Sequence, residues 1–256
     1  MHRFHIESIP ACSLRVGAAI SLPENTSHQI RNVLRLRAGE KFTVFTGDGR
    51  EWTAESASTK ATERDSQSVT AHISGVSEPN VEMKTQVAMV MALTRPQRYE
   101  LALAKCTELG ASQFLPIITD RVLKSDSTIS RSRMARWNRI VKEAAELSGR
   151  VRVPLIADPE PMHSVLTRLS DDGTTSILLW EGAREPMWAN LLTTLHNQPQ
   201  PPVKLALVFG PVGGFAPDEV QSAIENGAVI ASLGRRILRT ETAAIAAMSI
   251  TAQMMR

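Results

Sequence analysis

The stretch Leu205-Ala206-Leu207-Val208-Phe209-Gly210-Pro211-Val212-Gly213-Gly214 joins a short apolar run to a loop with three glycines. Such a run predicts a strand that is buried on both faces, as in a parallel sheet. Pro217, followed by two acidic residues, predicts the start of a helix, and Gly227 predicts its end. This part of the chain therefore indicates a strand, a glycine loop and a helix in succession.

A second apolar run, Ala228-Val229-Ile230-Ala231-Ser232-Leu233, ends at Gly234 and leads through a basic segment into an Ala- and Met-rich helix. Ser176–Gly182 predicts a further strand that ends in a glycine turn. Ligands bind at the carboxyl ends of parallel strands, and glycines let the backbone approach them closely. We expect these loops to surround one binding site. The pattern alone predicts an open, doubly wound sheet, because protein chains are rarely knotted.

Two motifs carry a resemblance to a known family. Phe209-Gly210-Pro211-x-Gly213-Gly214-Phe215 and Ser232-Leu233-Gly234-x-Arg236-Ile237-Leu238-Arg239-Thr240-Glu241-Thr242-Ala243 resemble the ribosomal RNA small subunit methyltransferase E family. The resemblance implies S-adenosylmethionine-dependent methylation of N3 of a uridine in 16S rRNA of the small ribosomal subunit. Val212 stands where the family usually has glutamate, and Arg235 stands where it often has proline.

The same resemblance implies an architecture. It predicts an N-terminal PUA-like β-barrel, followed by a C-terminal SPOUT α/β domain with a deep trefoil knot. It also implies a homodimer that builds its site at the subunit interface. From the turn-rich segment after the last predicted barrel strand we expect domains at residues 1–76 and 77–256.

Composition limits the possible classes of protein. The chain has 256 residues, a formal net charge of +3 and two cysteines. Two cysteines in unlike contexts favour reduced thiols, with Cys106 in the packing of a helix. The sequence contains no apolar signal core, no membrane-length run and no metal-ligand spacing, so we expect a cytoplasmic protein without a metal. The signatures of Rossmann and Walker nucleotide sites are also missing.

The N-terminal part predicts a small β-domain. Lys41–Phe45 and Glu51–Ala54 predict a hairpin, Ser68–Ile73 predicts a further strand, and the polar segment Ser56–Ser66 predicts an exposed loop. Residues 28–37 predict a short basic helix and its exit. A solvated basic face is the simple interpretation, whereas the resemblance favours contacts with RNA phosphates. The residues predicted to bind RNA are Arg3, His28, Arg31, Arg35, Arg37, Arg121 and Arg236.

The second part alternates strands and helices. Val87–Leu93 and Phe114–Ile118 predict buried strands, and Thr94-x-x-Gln97 predicts a capping box before a helix that stops at Gly110. Ser130–Gly149 predicts a helix whose arginine stripe is either a solvated face or an RNA-facing surface. Pro154 predicts a short or edge strand, and Met187–His196 predicts a helix.

The glycine loops and the strand ends before them form the predicted cofactor site. Binding by backbone groups of these loops suits a neutral or cationic adenosyl ligand. The predicted cofactor-binding residues are Leu179, Trp180, Glu181, Phe209, Gly210, Pro211, Gly213, Gly214, Ser232, Leu233, Gly234, Ile237, Leu238 and Thr240.

Methyl transfer to nitrogen depends mainly on the alignment of donor and acceptor, which can contribute roughly 7–11 kcal/mol. Uracil N3 carries a proton, so the site needs a base or a cation that stabilises the uridinate. Arg239 and Glu241 are the predicted catalytic residues, and Arg236 comes next. Alternatively, Arg239 and Glu241 pair with each other or cap the last helix.

Two other functions remain open. One is a related SPOUT methyltransferase that modifies another RNA position, such as a ribose hydroxyl. The other is a non-catalytic RNA-binding or ribosome-assembly factor. Binding of the cofactor distinguishes a methyltransferase from a non-catalytic factor. Analysis of the product distinguishes a uridine-N3 methyltransferase from one that modifies another RNA position.

Overall fold

The structure is a computed structural model, which describes residues 1–58, 68–121 and 129–255. It divides into two compact units. The first unit comprises Met1–Val81 and Ala145–Val153, and the second comprises Glu82–Ala144 and Pro154–Arg256. The predicted loop Ser56–Ser66 lies largely outside the described residues.

The first unit is a five-stranded sheet with one short helix. Its strands follow the order β1-β3-β4-β5-β2, and all neighbours are antiparallel except β1 and β3. The register places Val44 opposite both Phe4 and Trp52. The elements are β1 (Arg3–His5), β2 (Ala19–Ser21), α1 (Glu24–His28), β3 (Lys41–Phe45), β4 (Glu51–Ser58) and β5 (Thr70–Ser77).

One core holds this unit together. Phe4 of β1, Ile20 of β2 and Ile73 of β5 belong to the same buried cluster as side chains from β3 and β4. Ile30, in a π-helical turn directly after α1, is fully buried in that cluster. Because both edge strands and the central strands share one core, the packing is that of a small barrel-like domain.

The second unit is a parallel sheet covered on both faces. The strand order is β12-β10-β11-β6-β7-β8, with β9 also paired to β7, and every pairing is parallel. The elements are β6 (Gln86–Ala92), α2 (Pro96–Glu108), β7 (Gln113–Ile118), α3 (Arg131–Ser148), β8 (Leu155–Ile156), β9 (Glu160–Pro161), α4 (Met162–Asp171), β10 (Thr175–Leu179), α5 (Trp188–His196), β11 (Lys204–Phe209), α6 (Pro217–Glu225), β12 (Val229–Ala231) and α7 (Thr240–Met254). The last four residues of α3 belong to the segment Ala145–Val153 of the first unit.

Alternate residues of the central strands face opposite layers of helices. Val90 of β6 and Val208 of β11 pack with side chains of α4 and α6 in one cluster. On the other side α7 contacts β11 and packs against α2 and α5. Strands buried on both faces explain why β6 and β11 are continuous apolar runs rather than alternating ones.

Several local predictions were wrong or incomplete. Arg95, not Thr94, is the N-cap of α2 and makes no side-chain capping bond, although Pro96 opens the helix as predicted. The predicted helix at 28–37 begins earlier, at Glu24, and its end is π-helical. Four elements were not predicted from the sequence. Strands β1, β2 and β9 have only two or three residues, too few to show a period. Helix α4 was missed although Met162, Val165, Leu166 and Leu169 follow a helical period.

The units also divide the chain differently from the expected boundary after residue 76. The first unit extends to Val81 and includes the distant segment Ala145–Val153. Within this unit the backbone N–H of His5 donates to Glu146 Oε1 over 2.8 Å, and Arg3 donates to the carbonyl oxygens of Gly149 and Arg150. These bonds join residues that are about 140 positions apart in the sequence.

Candidate active site at the ends of β10, β11 and β12

The register of the sheet brings three loops to one place. Leu179, the last residue of β10, lies opposite both Phe209 of β11 and Ala231 of β12. Because these strands are parallel and end at the same level, the loops that follow them leave the same edge of the sheet. This is the meeting of loops that the sequence predicted.

The loops surround a cavity with about 500 Å³ of empty space, including the part open to solvent. Most of the predicted cofactor residues line it, whereas Gly213, Gly214, Ser232 and Ile237 do not. Ile237 is 84% exposed. The lining residues are Leu179, Trp180, Glu181, Phe209, Gly210, Pro211, Leu233, Gly234, Arg236, Leu238, Thr240 and Ala243.

The loop after β11 is held by hydrogen bonds from Thr240 and Arg121. Thr240 Oγ1, at the start of α7, donates to the carbonyl oxygen of Gly210 over 2.9 Å. Arg121, which follows β7, donates to the carbonyl oxygen of Gly213 over 2.7 Å. Arg121 was predicted to bind RNA, and in the structure its guanidinium fixes the glycine loop.

Glu219 makes a further connection from the first turn of α6. One carboxylate oxygen accepts the backbone N–H of Ala216 over 2.7 Å, and the other accepts the backbone N–H of Asp120 over 2.9 Å. One side chain thus joins the end of the glycine loop to the segment after β7. The sequence analysis assigned Glu219 only to the helix dipole, because its second partner is distant in sequence.

Two glycines in these loops lie close to side chains of the loop after β10. Gly214 has a φ of +68°, and a Cβ atom there would lie 1.9 Å from Glu181 Oε1. A Cβ atom on Gly182 would lie 2.4 Å from the ring of Trp180. Glycine at these positions allows the side chains of the β10 loop to lie against the backbone.

The two predicted catalytic residues have different surroundings. Arg239 is the N-cap residue of α7 and is exposed. Glu241 is only 8% exposed, does not line the cavity and forms an ion pair with Arg98 of α2 over 3.7 Å. The alternative in which Arg239 and Glu241 pair with each other is therefore wrong. Arg98 was missed, since nothing in the sequence links α2 to α7.

Four arginines near the loops make no ion pair with any described residue. They belong to the loops after β10 and β12, and all four are exposed. Arginine is the preferred side chain for phosphate, because its guanidinium binds two oxygens at once. The four residues are Arg184, Arg235, Arg236 and Arg239.

Comparison with known proteins decides the family. A family model described as an RNA methyltransferase domain matches residues 81–252, and one described as an RNA methyltransferase PUA domain matches residues 22–58. Ribosomal RNA small subunit methyltransferase E of Synechocystis is 33% identical over 235 residues, which cover 91% of this chain and 73% of the relative. That of Bacillus subtilis is 30% identical over 250 residues, with coverages of 97% and 95%. This chain belongs to the ribosomal RNA small subunit methyltransferase E family.

A solved structure agrees with this membership. The ribosomal RNA small subunit methyltransferase E of Neisseria gonorrhoeae, bound to S-adenosylmethionine, is 29% identical and superposes with a TM-score of 0.84. The match covers 99% of this chain and 97% of the other. The predicted PUA-like domain and α/β class are thereby confirmed. The SPOUT classification, the trefoil knot and the homodimer stay predictions.

The family's barrel domain carries most of the predicted RNA-binding residues. His28, Arg35 and Arg37 are exposed, Arg31 is half-buried, and none of the four forms an ion pair with a described residue. Arg3 differs from them. Its guanidinium pairs with Glu51, donates to two backbone carbonyls and lies 5.4 Å from the centre of the Phe45 ring. These contacts give Arg3 a structural role.

Two further predictions concern packing and charge. Cys106 is fully buried, and burial raises the pKa of its thiol, so it packs as a neutral side chain as expected. On α3, Arg136 forms two hydrogen bonds with Glu100, at 2.6 and 2.8 Å, so part of the arginine stripe is already neutralised.

The described residues contain no group of three or more potential metal ligands. Among the same residues, no helix has both the length and the apolar character that a membrane span requires.

Proposed function

We propose that this chain transfers a methyl group from S-adenosylmethionine to N3 of a uridine in 16S rRNA of the small ribosomal subunit. The observation that carries the proposal is the cavity at the ends of β10, β11 and β12, which is lined by residues of the two family motifs together with Leu179, Trp180 and Glu181. Such a substrate implies that the protein acts in the cytoplasm.

The cavity suits S-adenosylmethionine in its chemistry. Leu179, Phe209, Leu233 and Leu238 supply apolar walls for an adenine and a ribose face. Gly210 and Gly234 expose backbone groups that can hydrogen-bond to polar edges. When bound, the cofactor supplies a methyl group on a positively charged sulfur.

The residues around the cavity then have to hold the uracil and remove the N3 proton. Arg239 and Arg236 are cations without an ion-pair partner among the described residues, and Arg236 lines the cavity. They are proposed to stabilise the negative charge that develops on the base. Glu241 is proposed to fix the start of α7 through Arg98, since its carboxylate lies outside the cavity.

In the barrel domain, His28, Arg31, Arg35 and Arg37 are proposed to contact RNA phosphates. Four cationic or polar side chains within ten residues of chain provide electrostatic attraction without reading sequence. Arg3 is left out of this set, because its guanidinium is already paired.

One experiment tests the function. The purified protein is incubated with S-adenosylmethionine and small ribosomal subunits that lack the modification, and the digested rRNA is examined by mass spectrometry. N3-methyluridine is the expected product. A methylated ribose would indicate another SPOUT activity. No product together with no cofactor binding in calorimetry would indicate a non-catalytic RNA-binding protein.

A further inference from the structure

A second cavity lies beside the first and shares two residues with it, Glu181 and Gly234. It contains about 1090 Å³ of empty space, compared with about 500 Å³ for the first, both measured to the open surface. Its walls come from the loop after β10 and the loop after β12. They include two of the unpaired arginines, Arg184 and Arg235.

The position of this cavity matters for methyl transfer. The acceptor atom has to come within about 3–3.5 Å of the methyl carbon, so the acceptor must enter from a space that is continuous with the cofactor cavity. The second cavity adjoins the first at Glu181 and Gly234, which line both. Its two guanidinium groups suit the phosphates on either side of a nucleotide.

Glu181 is the acidic side chain that lines both cavities. It is exposed, and it forms no ion pair or hydrogen bond with a described residue. Gly214 leaves room for its carboxylate, since any Cβ there would collide with Oε1. The carboxylate therefore lies at the border between the space for the donor and the space for an acceptor.

We propose that the second cavity receives the nucleotide to be methylated, and that Glu181 accepts the proton from N3. This inference rests on the proposed function. N3 gives its proton to the Glu181 carboxylate, and its electron pair forms the bond to the methyl carbon. The electrons of the broken carbon–sulfur bond stay on sulfur, which becomes a neutral thioether. Glu181 afterwards releases the proton to water, because its side chain is exposed.

The assignment replaces Glu241 as the carboxylate of the reaction. Glu241 is buried beside Arg98 and lines neither cavity, whereas Glu181 lines both. From the sequence, Glu181 was predicted only to bind the cofactor, because it follows a strand that ends in a glycine turn. Its place in the wall of the second cavity depends on the loop after β12, which forms the other part of that wall.

The test compares Glu181→Gln with Glu225→Gln, which removes one charge from the exposed end of α6, away from both cavities. Single-turnover rates are measured on small subunits, and S-adenosylmethionine affinity is measured by calorimetry. We expect Glu181→Gln to lower the rate by about 100- to 10,000-fold, the usual contribution of a general base. Its cofactor affinity should stay within threefold of the wild type, and Glu225→Gln should change neither value.

The pH dependence separates a base from a structural residue. Without the carboxylate, N3 has to lose its proton to solvent, so the rate of Glu181→Gln should rise about tenfold per pH unit and approach the wild-type rate. A pH-independent defect would overturn the role of Glu181 as base. This role would also be overturned if Glu181→Gln reacted at the wild-type rate, or if the variant were impaired only in its affinity for the cofactor.

The arginines test the cavity itself. Arg184→Gln and Arg235→Gln should weaken RNA binding and each lower the slope of log affinity against log salt by about 0.7, the value for one phosphate of a single strand. The paired residue Arg168 serves as the control, as Arg168→Gln. Unchanged slopes would overturn the nucleotide site. A wild-type protein that produces no N3-methyluridine would instead overturn the proposed function and this inference with it.

Discussion

The carboxylate of Glu219 holds two segments of the active-site region together, and its removal should affect both stability and cofactor binding. It accepts the backbone N–H groups of Ala216 and Asp120, over 2.7 and 2.9 Å. The substitution Glu219→Gln keeps the size of the side chain. Its amide oxygen can accept only one of the two N–H groups, and its NH₂ group faces the other.

The expected magnitude follows from these two bonds. A hydrogen bond to a charged group contributes about 1.5–3 kcal/mol, but Asp120 is exposed and water can replace its partner. We expect Glu219→Gln to lower the free energy of unfolding by about 2 kcal/mol. The glycine loop would also be less ordered before binding. Ordering one residue costs about 1–2 kcal/mol, which corresponds to a roughly tenfold loss of S-adenosylmethionine affinity.

Urea unfolding and calorimetry measure the two effects. Asp218→Asn is the matched control, since Asp218 lies in the same first turn of α6 and loses one charge in the same way. Asp218→Asn should lower the free energy of unfolding only by the helix-dipole contribution, about 0.3–1 kcal/mol, and should leave the affinity for S-adenosylmethionine unchanged. The proposed role of the two Glu219 hydrogen bonds would be refuted if Glu219→Gln and Asp218→Asn had the same free energy of unfolding. It would also be refuted if Glu219→Gln bound S-adenosylmethionine as tightly as the wild type.

Three further tests use five substitutions. Gly214→Ala and Gly227→Ala should both lower the free energy of unfolding in urea by about 1–2 kcal/mol because of their positive φ. Gly214→Ala should lower it more, since only its Cβ meets another side chain. Equal losses would show that Glu181 moves away freely. Tyr99→Phe should leave the free energy of unfolding unchanged or raise it, because the buried hydroxyl has no hydrogen-bond partner among the described residues; a loss of more than about 1 kcal/mol would reveal one. Arg3→Ala should lower the free energy of unfolding by about 1–3 kcal/mol, whereas Arg37→Ala should leave stability intact and reduce the salt dependence of RNA binding; the reverse result would make Arg3 the RNA contact.

The sequence was sufficient for the elements that carry a local pattern. The strands β6, β10 and β11 are buried on both faces, so their apolar runs are visible without any knowledge of their neighbours. Gly227 has the positive φ expected at the end of α6. The glycine loops and the family motifs indicated a cavity at the ends of β11 and β12, because they occupy two short continuous segments of the chain.

The roles of charged side chains needed the tertiary structure. Arg121 and Glu219 each fix the glycine loop through a partner more than 90 positions away. Glu241 pairs with Arg98 rather than with its neighbour Arg239. A charged residue has no intrinsic partner, since its pairing depends on which helices and loops the fold brings together. From sequence, a structural arginine such as Arg3 cannot be distinguished from one that binds RNA.

What the sequence determined by itself was the order of most elements, the parallel sheet and the loops that form the cavity, because hydrophobic period and glycine position act within a few residues. Only the tertiary structure decided that residues 145–153 belong with the first unit and that Glu181 borders two cavities. The physical reason is that hydrogen bonds and cavity walls form between segments that are distant along the chain, so no local pattern of residues records them.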